Sequence, residues 1–150
     1  MRRGAVWWGA IGVIVVGAQF VRFDRTAPPV NGDLPAPPDV MRTLRGACYD
    51  CHSNETEWPW YSQVAPFSWL LQRDVDEGRR RLNFSEWDEY ASDPGTASGK
   101  LAEIASSVAR GGMAPWYYRV LHPAARLSPA QRELLRQWAE GAAGQERPPA

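Results

Sequence analysis

Two cysteines and a histidine lie within five consecutive positions of this 150-residue chain. The run is Cys48-Tyr49-Asp50-Cys51-His52, and it contains both cysteines and one of the two histidines of the sequence. This C-x-x-C-H spacing is the attachment motif of c-type haem. Because residues three and four apart share a face of a helical turn, both thiols can reach one edge of a porphyrin. His52, next to the second thiol, is the predicted proximal ligand of the iron.

Three other uses of the two thiols compete with haem. A structural zinc site requires four ligands, usually with a second Cys/His pair, and the sequence contains no such pair. A C-x-x-C redox pair is typical of a βαβ setting, whereas the surrounding sequence has a helical pattern. A disulfide across so short a loop would add little stability and would leave His52 without a role. The sequence favours one covalently attached haem c, held by Cys48 and Cys51.

The sixth iron ligand has two candidates in the sequence. Met113 lies in a loop between a Gly-Gly pair and a proline, and a thioether ligand stabilises Fe(II), as in electron-carrying cytochromes c. Ordinary core packing is the other use of such a methionine. His122 is the alternative distal ligand, although a surface or capping role is more typical of a histidine before proline. An open distal position is the third possibility.

The chain is rich in aromatic residues, with eight tryptophans among its 150 residues. A flat apolar macrocycle needs large apolar walls, and tryptophan and tyrosine supply them together with a polar group. Trp60 and Tyr118 flank the two predicted ligand segments, so we expect them to line the haem pocket. A small helical domain would also fill its core with such side chains.

The balanced charge and the lack of several known motifs exclude other functions. The 17 basic residues balance the 17 acidic ones, so the chain lacks the excess positive charge of a nucleic-acid binder. We find no nucleotide-binding glycine motif, no Gly-x-Ser-x-Gly elbow and no pair of catalytic carboxylates. The sequence therefore predicts a cofactor carrier and no enzyme.

The elements that must position these residues have helical periodicity. Apolar residues recur at three- and four-residue intervals over residues 40–51, 68–82, 101–108 and 134–139, and no segment alternates convincingly with period two. Residues 85–87 suggest a short capped turn, and Gly111-Gly112 is expected to stop the third helix. Ser128 to Gln131 form a capping box at the start of the last helix, which Gly141 is expected to end. The predicted fold is all-α, a helical domain around a haem.

The two ends of the chain differ in composition from the segments with helical periodicity. Arg2 and Arg3 precede an apolar run over residues 4–21, about 27 Å long as a helix and close to the ~30 Å of a bilayer core. Residues 1–22 are therefore predicted to be a transmembrane anchor or a cleaved signal segment, with a buried core helix as a third reading. Residues 23–38 contain five prolines and predict a polyproline spacer without a buried core. Residues 39–141 are the predicted haem domain, and residues 142–150 a flexible tail.

The sequence resembles the small bacterial haem-binding domain family of cytochrome c type over about residues 40–138. In most related sequences a proline directly follows the late methionine, whereas here Ala114 intervenes between Met113 and Pro115. The motifs that carry the resemblance are, in chain order, Cys48 to Thr56, Trp58-Pro59-Trp60-Tyr61, Ala65-Pro66, Ser68-Trp69, Asp74-Val75, Glu77-Gly78-Arg79, Asn83-Phe84-Ser85-Glu86-Trp87, Met113, Tyr118, His122-Pro123, Ala125, Leu127-Ser128, Leu134 and Trp138.

The resemblance implies a cytochrome c-like helical domain in a membrane-anchored or exported monohaem protein. Its expected function is outer-sphere electron transfer on the periplasmic or outer face of the bacterial inner membrane. The alternative is a haem-based sensor or ligand-binding module with an open or labile distal position. Redox proteins are the expected partners, including di-haem peroxidase-type modules or respiratory components.

Overall fold

The helices expected from periodicity are present. The computed structural model describes residues 2–23 and 25–146, and this part of the chain forms α-helices and short 3-10 turns without a strand, so the all-α prediction is confirmed. The α-helices are α1 (Arg2–Ala18), α2 (Pro38–Ala47), α3 (Tyr49–His52), α4 (Phe67–Arg81), α5 (Trp87–Ala91), α6 (Pro94–Arg110), α7 (Trp116–Leu121) and α8 (Pro129–Glu146). The 3-10 turns are Trp60–Gln63, Phe84–Glu86 and Pro123–Ala125.

The larger of two apolar clusters, called here the core cluster, lies where α2, α6 and α8 meet. Leu44, Ala97, Leu135 and Ala139 are fully buried within it, because each falls on the inward stripe of its helix. The buried members are Leu34, Val40, Leu44, Tyr49, Leu82, Phe84, Trp87, Ala97, Leu101, Ile104, Ala105, Val108, Leu127, Leu135, Ala139 and Ala143.

A smaller apolar cluster, called here the aromatic cluster, lies between α4, α7 and the segment before α4. Its buried members are Leu71, Ala114, Tyr118 and Ala125, with Trp58, Tyr61 and Tyr117 packed against them in partly buried positions. This cluster brings the Met113 loop and α7 onto α4.

The ends of α6 follow the capping rules. Asp93 accepts a hydrogen bond from the Thr96 N–H (3.0 Å) at the start, and Pro94 occupies the first helical position. Gly111 ends the helix with φ +67°, a left-handed conformation that glycine adopts at little cost. The expected stop at the Gly-Gly pair is therefore confirmed.

The last helix begins as predicted but ends later. Ser128 Oγ accepts from the Gln131 N–H (3.2 Å), and the Gln131 side chain accepts in return from the Ser128 N–H (2.9 Å). The expected stop at Gly141 is wrong, since α8 continues to Glu146. Ala143 is buried in the core cluster, and this burial outweighs the weak helix propensity of glycine. Residues 142–146 of the expected flexible tail are thus helical, and residues 147–150 lie outside the described residues.

The N-terminal apolar run forms α1, which is 17 residues long and about 25 Å at ~1.5 Å per residue. The helix ends at Ala18, before the apolar run does, and it includes the two arginines. Among the described residues, no helix is both long and apolar enough to span a bilayer. The expectation of a transmembrane helix is therefore not supported.

The proline-rich segment before α2 packs on the domain over part of its length. Leu34 is 2% exposed within the core cluster, which differs from the expected spacer without a buried core. The Leu34 N–H donates to the Phe84 carbonyl (3.2 Å), and the Asn31 N–H to the Ser85 carbonyl (2.8 Å). A single apolar anchor and these backbone bonds hold the segment against Phe84–Glu86 although its sequence lacks a helical or strand period.

Candidate functional site

The C-x-x-C-H motif spans a break between two helices. Cys48 ends α2 with φ −128°, and α3 begins at the next residue, so the predicted stripe over residues 40–51 is two helices rather than one. The His52 N–H still donates to the Cys48 carbonyl (2.9 Å), which closes one helical turn over the motif. Cys48 therefore lies at the start of this turn, and Cys51 and His52 lie at its end.

Gly78 lets α4 approach this turn closely. A Cβ atom at position 78 would lie 2.2 Å from the carbonyl oxygen of Cys51 and 3.2 Å from its Cβ atom. No non-glycine residue fits at this distance without a shift of the backbone. Gly78 therefore sets how closely α3 packs on α4.

His52 is oriented by a main-chain carbonyl. Its Nδ1 lies 3.0 Å from the carbonyl oxygen of Leu82, the residue that follows α4. This contact makes Nδ1 the protonated nitrogen and leaves the lone pair on Nε2, the arrangement typical of a metal-binding histidine. Burial lowers the pKa of His52, while hydrogen bonding to the Leu82 and Gly78 carbonyls acts in the opposite direction. A neutral imidazole is the form that binds a metal.

A buried polar network fixes the segment that carries the Leu82 carbonyl. The Asn83 side chain donates to Asn54 Oδ1 (2.9 Å), and the Asn54 N–H donates to Ser85 Oγ (3.0 Å). The Asn54 side chain also donates to the Pro29 carbonyl (2.8 Å). Buried amides without such partners would destabilise the fold, so the satisfied network specifies one arrangement. It holds the residues just after His52 against the residues just after Leu82.

Both thiols are free and half-buried. Burial raises the pKa of the Cys48 thiol to about 12. Burial also raises the pKa of the Cys51 thiol to about 12, with a smaller contribution from the nearby Asp74 and Asp50 carboxylates. At neutral pH both groups are therefore protonated thiols, which are poor nucleophiles and weak metal ligands.

Met113 lies beside the same cavity as Cys51 and His52. The cavity measures about 250 Å³ and is lined by Cys51, His52, Asp74, Glu77, Gly78, Arg81, Met113 and Pro115. Met113 is 41% exposed, so its thioether is not committed to core packing. The structure thus brings together Cys51, His52 and Met113, three of the predicted site residues. Cys51 and Met113 are 62 positions apart along the chain.

The other predicted residues lie outside this lining. Tyr118 is buried in the aromatic cluster and donates to Asp50 Oδ2 (2.6 Å), and with Cys51 it lines a much smaller cavity. His122 stacks on the Tyr118 ring at 3.9 Å, and its Nε2 lies 2.5 Å from the Tyr61 hydroxyl. Trp60 is 80% exposed and meets Tyr61 edge-on. Cys48 packs against the core cluster.

Comparison with known protein families identifies the family of this chain. The family described as Haem-binding domain matches residues 13–141. The chain belongs to this haem-binding domain family. Comparison with curated proteins and with solved structures gave no match.

The residues of the haem-binding domain fit a haem better than a bare metal ion. In the described part of the chain, no three His, Cys, Asp or Glu side chains gather as a metal-binding group. The cavity offers an oriented imidazole and a thioether, which are both common axial ligands of haem iron. Its volume lies below the ~300–1,000 Å³ of typical small-molecule sites, so it would enclose only part of a macrocycle. The Cys51 thiol in its lining suits a group held by a covalent bond.

Two positioning residues of the haem-binding domain were missed by the sequence reasoning. Gly78 was visible only as part of a family motif, although an isolated glycine inside a strongly periodic helix indicates a close packing contact. The role of Leu82 rests on its carbonyl oxygen, and no side-chain pattern reports which carbonyl a histidine will contact.

Proposed function

We propose that the domain binds one haem c covalently, with Cys48 and Cys51 as attachment residues. Each thiol would add its sulfur and its hydrogen across one vinyl double bond of the haem, so no oxidant is consumed. The protonated state of both thiols at neutral pH supports this, because it protects them from oxidation to a disulfide before attachment.

The observation that carries the proposal is the His52–Leu82 contact beside a shared cavity. With Nδ1 held by the Leu82 carbonyl, His52 would bind the iron through Nε2. Met113 lines the same cavity and would supply the sixth ligand. His122 is the weaker candidate, because its Nε2 is engaged by the Tyr61 hydroxyl and it does not line the cavity.

The function that this ligand set supports best is electron transfer, with the protein as a carrier and not an enzyme. A bound haem supplies a one-electron change between Fe(II) and Fe(III). His52 and a methionine thioether as axial ligands would favour the reduced form relative to two nitrogen ligands. The domain would exchange electrons with redox proteins, among which di-haem peroxidase-type or respiratory components are the expected class.

We also propose that the domain lies outside the cytoplasm. Arg2 and Arg3 before an apolar segment are typical of export signals and membrane anchors, whether or not the segment is cleaved. Covalent haem attachment in bacteria takes place on that side of the membrane. Haem staining of periplasmic and membrane fractions tests this location.

A denaturing gel stained for haem peroxidase activity tests covalent attachment. In cells with a cytochrome c maturation system, the full chain should keep its stain after denaturation. Cys48→Ala and Cys51→Ala should each weaken the stain, and the double variant should abolish it. Met113→Ala is the matched control, because removal of a distal ligand leaves both thiols in place. An unstained wild-type band of normal abundance would contradict the proposal.

Optical spectra of the stained protein test the sixth ligand. Met113→Ala should abolish the absorption band of a Met–Fe(III) bond and lower the potential, whereas His122→Ala should change neither. Rapid carbon monoxide binding to the reduced wild-type protein would instead favour the sensor function, since it requires an open or labile distal position.

A further inference from the structure

A groove rich in arginine lies next to the candidate haem cavity. It measures about 350 Å³ and is formed by α7, the segment after it and the start of α8. We call it the arginine groove, and its lining residues are Trp116, Arg119, Val120, Arg126, Leu127 and Arg132. None of them has a role in the proposed haem site.

The positive charge of the arginine groove is not neutralised by the protein. In the part of the chain that the structure describes, no carboxylate forms an ion pair with Arg119, Arg126 or Arg132. The ion pairs formed by Arg45, Arg80, Arg81, Lys100 and Arg136 show that acidic residues pair with other basic side chains. Three unpaired guanidinium groups in one concave surface attract anionic groups.

Two of the three guanidinium groups are held in place by backbone carbonyls. Arg126 donates from Nε to the Arg119 carbonyl (2.6 Å) and from Nη2 to the Val120 carbonyl (3.3 Å). Arg132 donates from Nε to the Leu127 carbonyl (3.3 Å), and its Nη1 lies against Gly111, where an added Cβ atom would be 2.9 Å away. A ligand that binds pre-oriented arginines loses less side-chain entropy, so this arrangement favours binding.

The arginine groove also has the composition of a protein interface. Trp116 is 72% exposed, and Val120 beside it is exposed as well. Tryptophan and arginine are the residue types most enriched where protein partners bind tightly. An exposed tryptophan at the rim of a cationic groove fits a partner surface that contains carboxylates around an apolar centre.

The groove adjoins the cavity through one peptide bond. Pro115 lines the haem cavity and Trp116 lines the arginine groove, and consecutive Cα atoms lie about 3.8 Å apart. A protein bound over the groove would therefore contact the chain directly beside the loop that carries Met113. A redox partner bound there would lie near the proposed iron ligand Met113, which favours a short electron path.

We propose that the arginine groove is the docking site for an acidic redox partner protein, whose surface carboxylates bind Arg119 and Arg132. The inference rests on the proposed electron-transfer function. It adds that the partner protein docks at the arginine groove and that the docking surface of the partner is acidic. The partner would give or take one electron, matched by the opposite one-electron change at the haem iron, and no bond is made or broken.

A peptide of eight glutamates, labelled with a fluorescent dye, is a defined probe for the docking site. Fluorescence anisotropy of this peptide against the full haem-loaded chain should show binding that weakens as salt is added. Arg119→Glu should lower the affinity about tenfold, because it replaces a cation that has no other partner with an anion. Trp116→Ser should weaken binding less. Arg42→Glu, at an exposed arginine on α2 outside the groove lining, is the matched charge control and should leave the affinity within about twofold.

Electron exchange with small reagents gives a second readout. Arg119→Glu should slow oxidation of the reduced protein by the anionic ferricyanide and should speed its oxidation by a cationic cobalt complex. An equal loss of peptide binding in Arg119→Glu and Arg42→Glu would overturn the docking site. So would binding of inorganic phosphate as tight as that of the peptide, which would indicate a small-anion site. The haem stain separates this failure from failure of the proposed function, since stained protein that does not bind the peptide contradicts the docking site alone.

Discussion

The two apolar clusters differ in what their side chains do besides packing. Leu44, Leu101 and Leu135 of the core cluster are buried and make no polar contact, as in the interior of any helical domain. The aromatic cluster has four buried members, and the hydroxyls of Tyr117 and Tyr118 donate to Asp74 and Asp50. Asp74 lines the cavity and Asp50 belongs to the C-x-x-C-H motif.

This difference indicates a division between a scaffold and a site. In the core cluster, α6 and α8 bury their apolar stripes against each other, and α2 packs on α8. The aromatic cluster depends on the position of α3 and of the Met113 loop, which together line the cavity. A change among the buried apolar residues of α6 and α8 should therefore alter stability alone, whereas a change around the aromatic cluster should also alter haem loading.

The largest expected effect on stability is that of Leu135→Ala. Leu135 is fully buried between helices, so its truncation should lower the free energy of unfolding by about 3 kcal/mol. Chemical denaturation of the haem-free and haem-loaded chains should give the same loss. Leu121→Ala removes the same atoms from an exposed site on α7 and should change stability by less than about 0.5 kcal/mol. A loss from Leu135→Ala that disappears when haem is bound would mean that the core cluster is not an independent scaffold.

The sequence predicted the scaffold better than the site for a physical reason. Helices α4, α6 and α8 each bury one face, and such burial leaves a three- and four-residue period that can be read without a structure. The contact between His52 and Leu82 joins residues 30 positions apart through a carbonyl that every residue type possesses. Leu34 is a single buried apolar residue in a proline-rich segment, so no sequence period indicates that it is buried.

The motif residues themselves were predictable because their chemistry is rare in proteins. Two thiols and an imidazole at the C-x-x-C-H spacing serve few purposes, and the structure places Cys51 and His52 beside one cavity. The placement of Trp60 was not predictable, because an aromatic residue near a motif can face either the site or the solvent. Tertiary packing decides which, and here it leaves Trp60 exposed.

The next largest effect is expected from Gly78→Ala, which tests the close packing of α4 on the C-x-x-C-H turn. The added Cβ would lie 2.2 Å from the Cys51 carbonyl oxygen, so α3 must shift, and we expect a loss of about 2 kcal/mol in stability. The haem stain per folded chain should also fall, because the shift moves Cys51 and His52.

Gly99→Ala is the matched control on α6. Nothing lies within 4 Å of a Cβ atom at this position, so alanine should stabilise the helix by about 0.5–1 kcal/mol and leave haem loading unchanged. If Gly78→Ala lowers stability but loads haem as fully as Gly99→Ala does, the close packing of α3 on α4 does not position the attachment residues.

A smaller effect is expected from Tyr118→Phe in the aromatic cluster. The change removes the hydrogen bond to Asp50 and should lower the free energy of unfolding by about 1 kcal/mol, since the carboxylate keeps partial access to water. The spectrum or potential of the haem-loaded protein should shift too, because Asp50 lies between Cys48 and Cys51 in the chain. Thr43→Val removes a hydroxyl that donates to the Asp39 carbonyl within α2, on the side of the core cluster, and it should leave the spectrum unchanged. Equal spectra for both variants would show that the two clusters are equivalent with respect to the haem.

The smallest expected effect is a change in alkaline stability that depends on Tyr117. Burial, together with the hydrogen bond to Asp74, raises the pKa of Tyr117 to about 12, whereas an unfolded tyrosine ionises near pH 10. The contribution of this tyrosine is therefore fully present below about pH 10 and is lost as the pH rises to about 12, because the unfolded chain releases its proton first. Between pH 9 and 12, the free energy of unfolding measured by denaturation should fall less steeply with pH for Tyr117→Phe than for the wild-type chain. Asp74→Asn should give an intermediate dependence on pH. Unchanged slopes in both variants would mean that the Tyr117–Asp74 bond does not hold the aromatic cluster to the rim of the cavity.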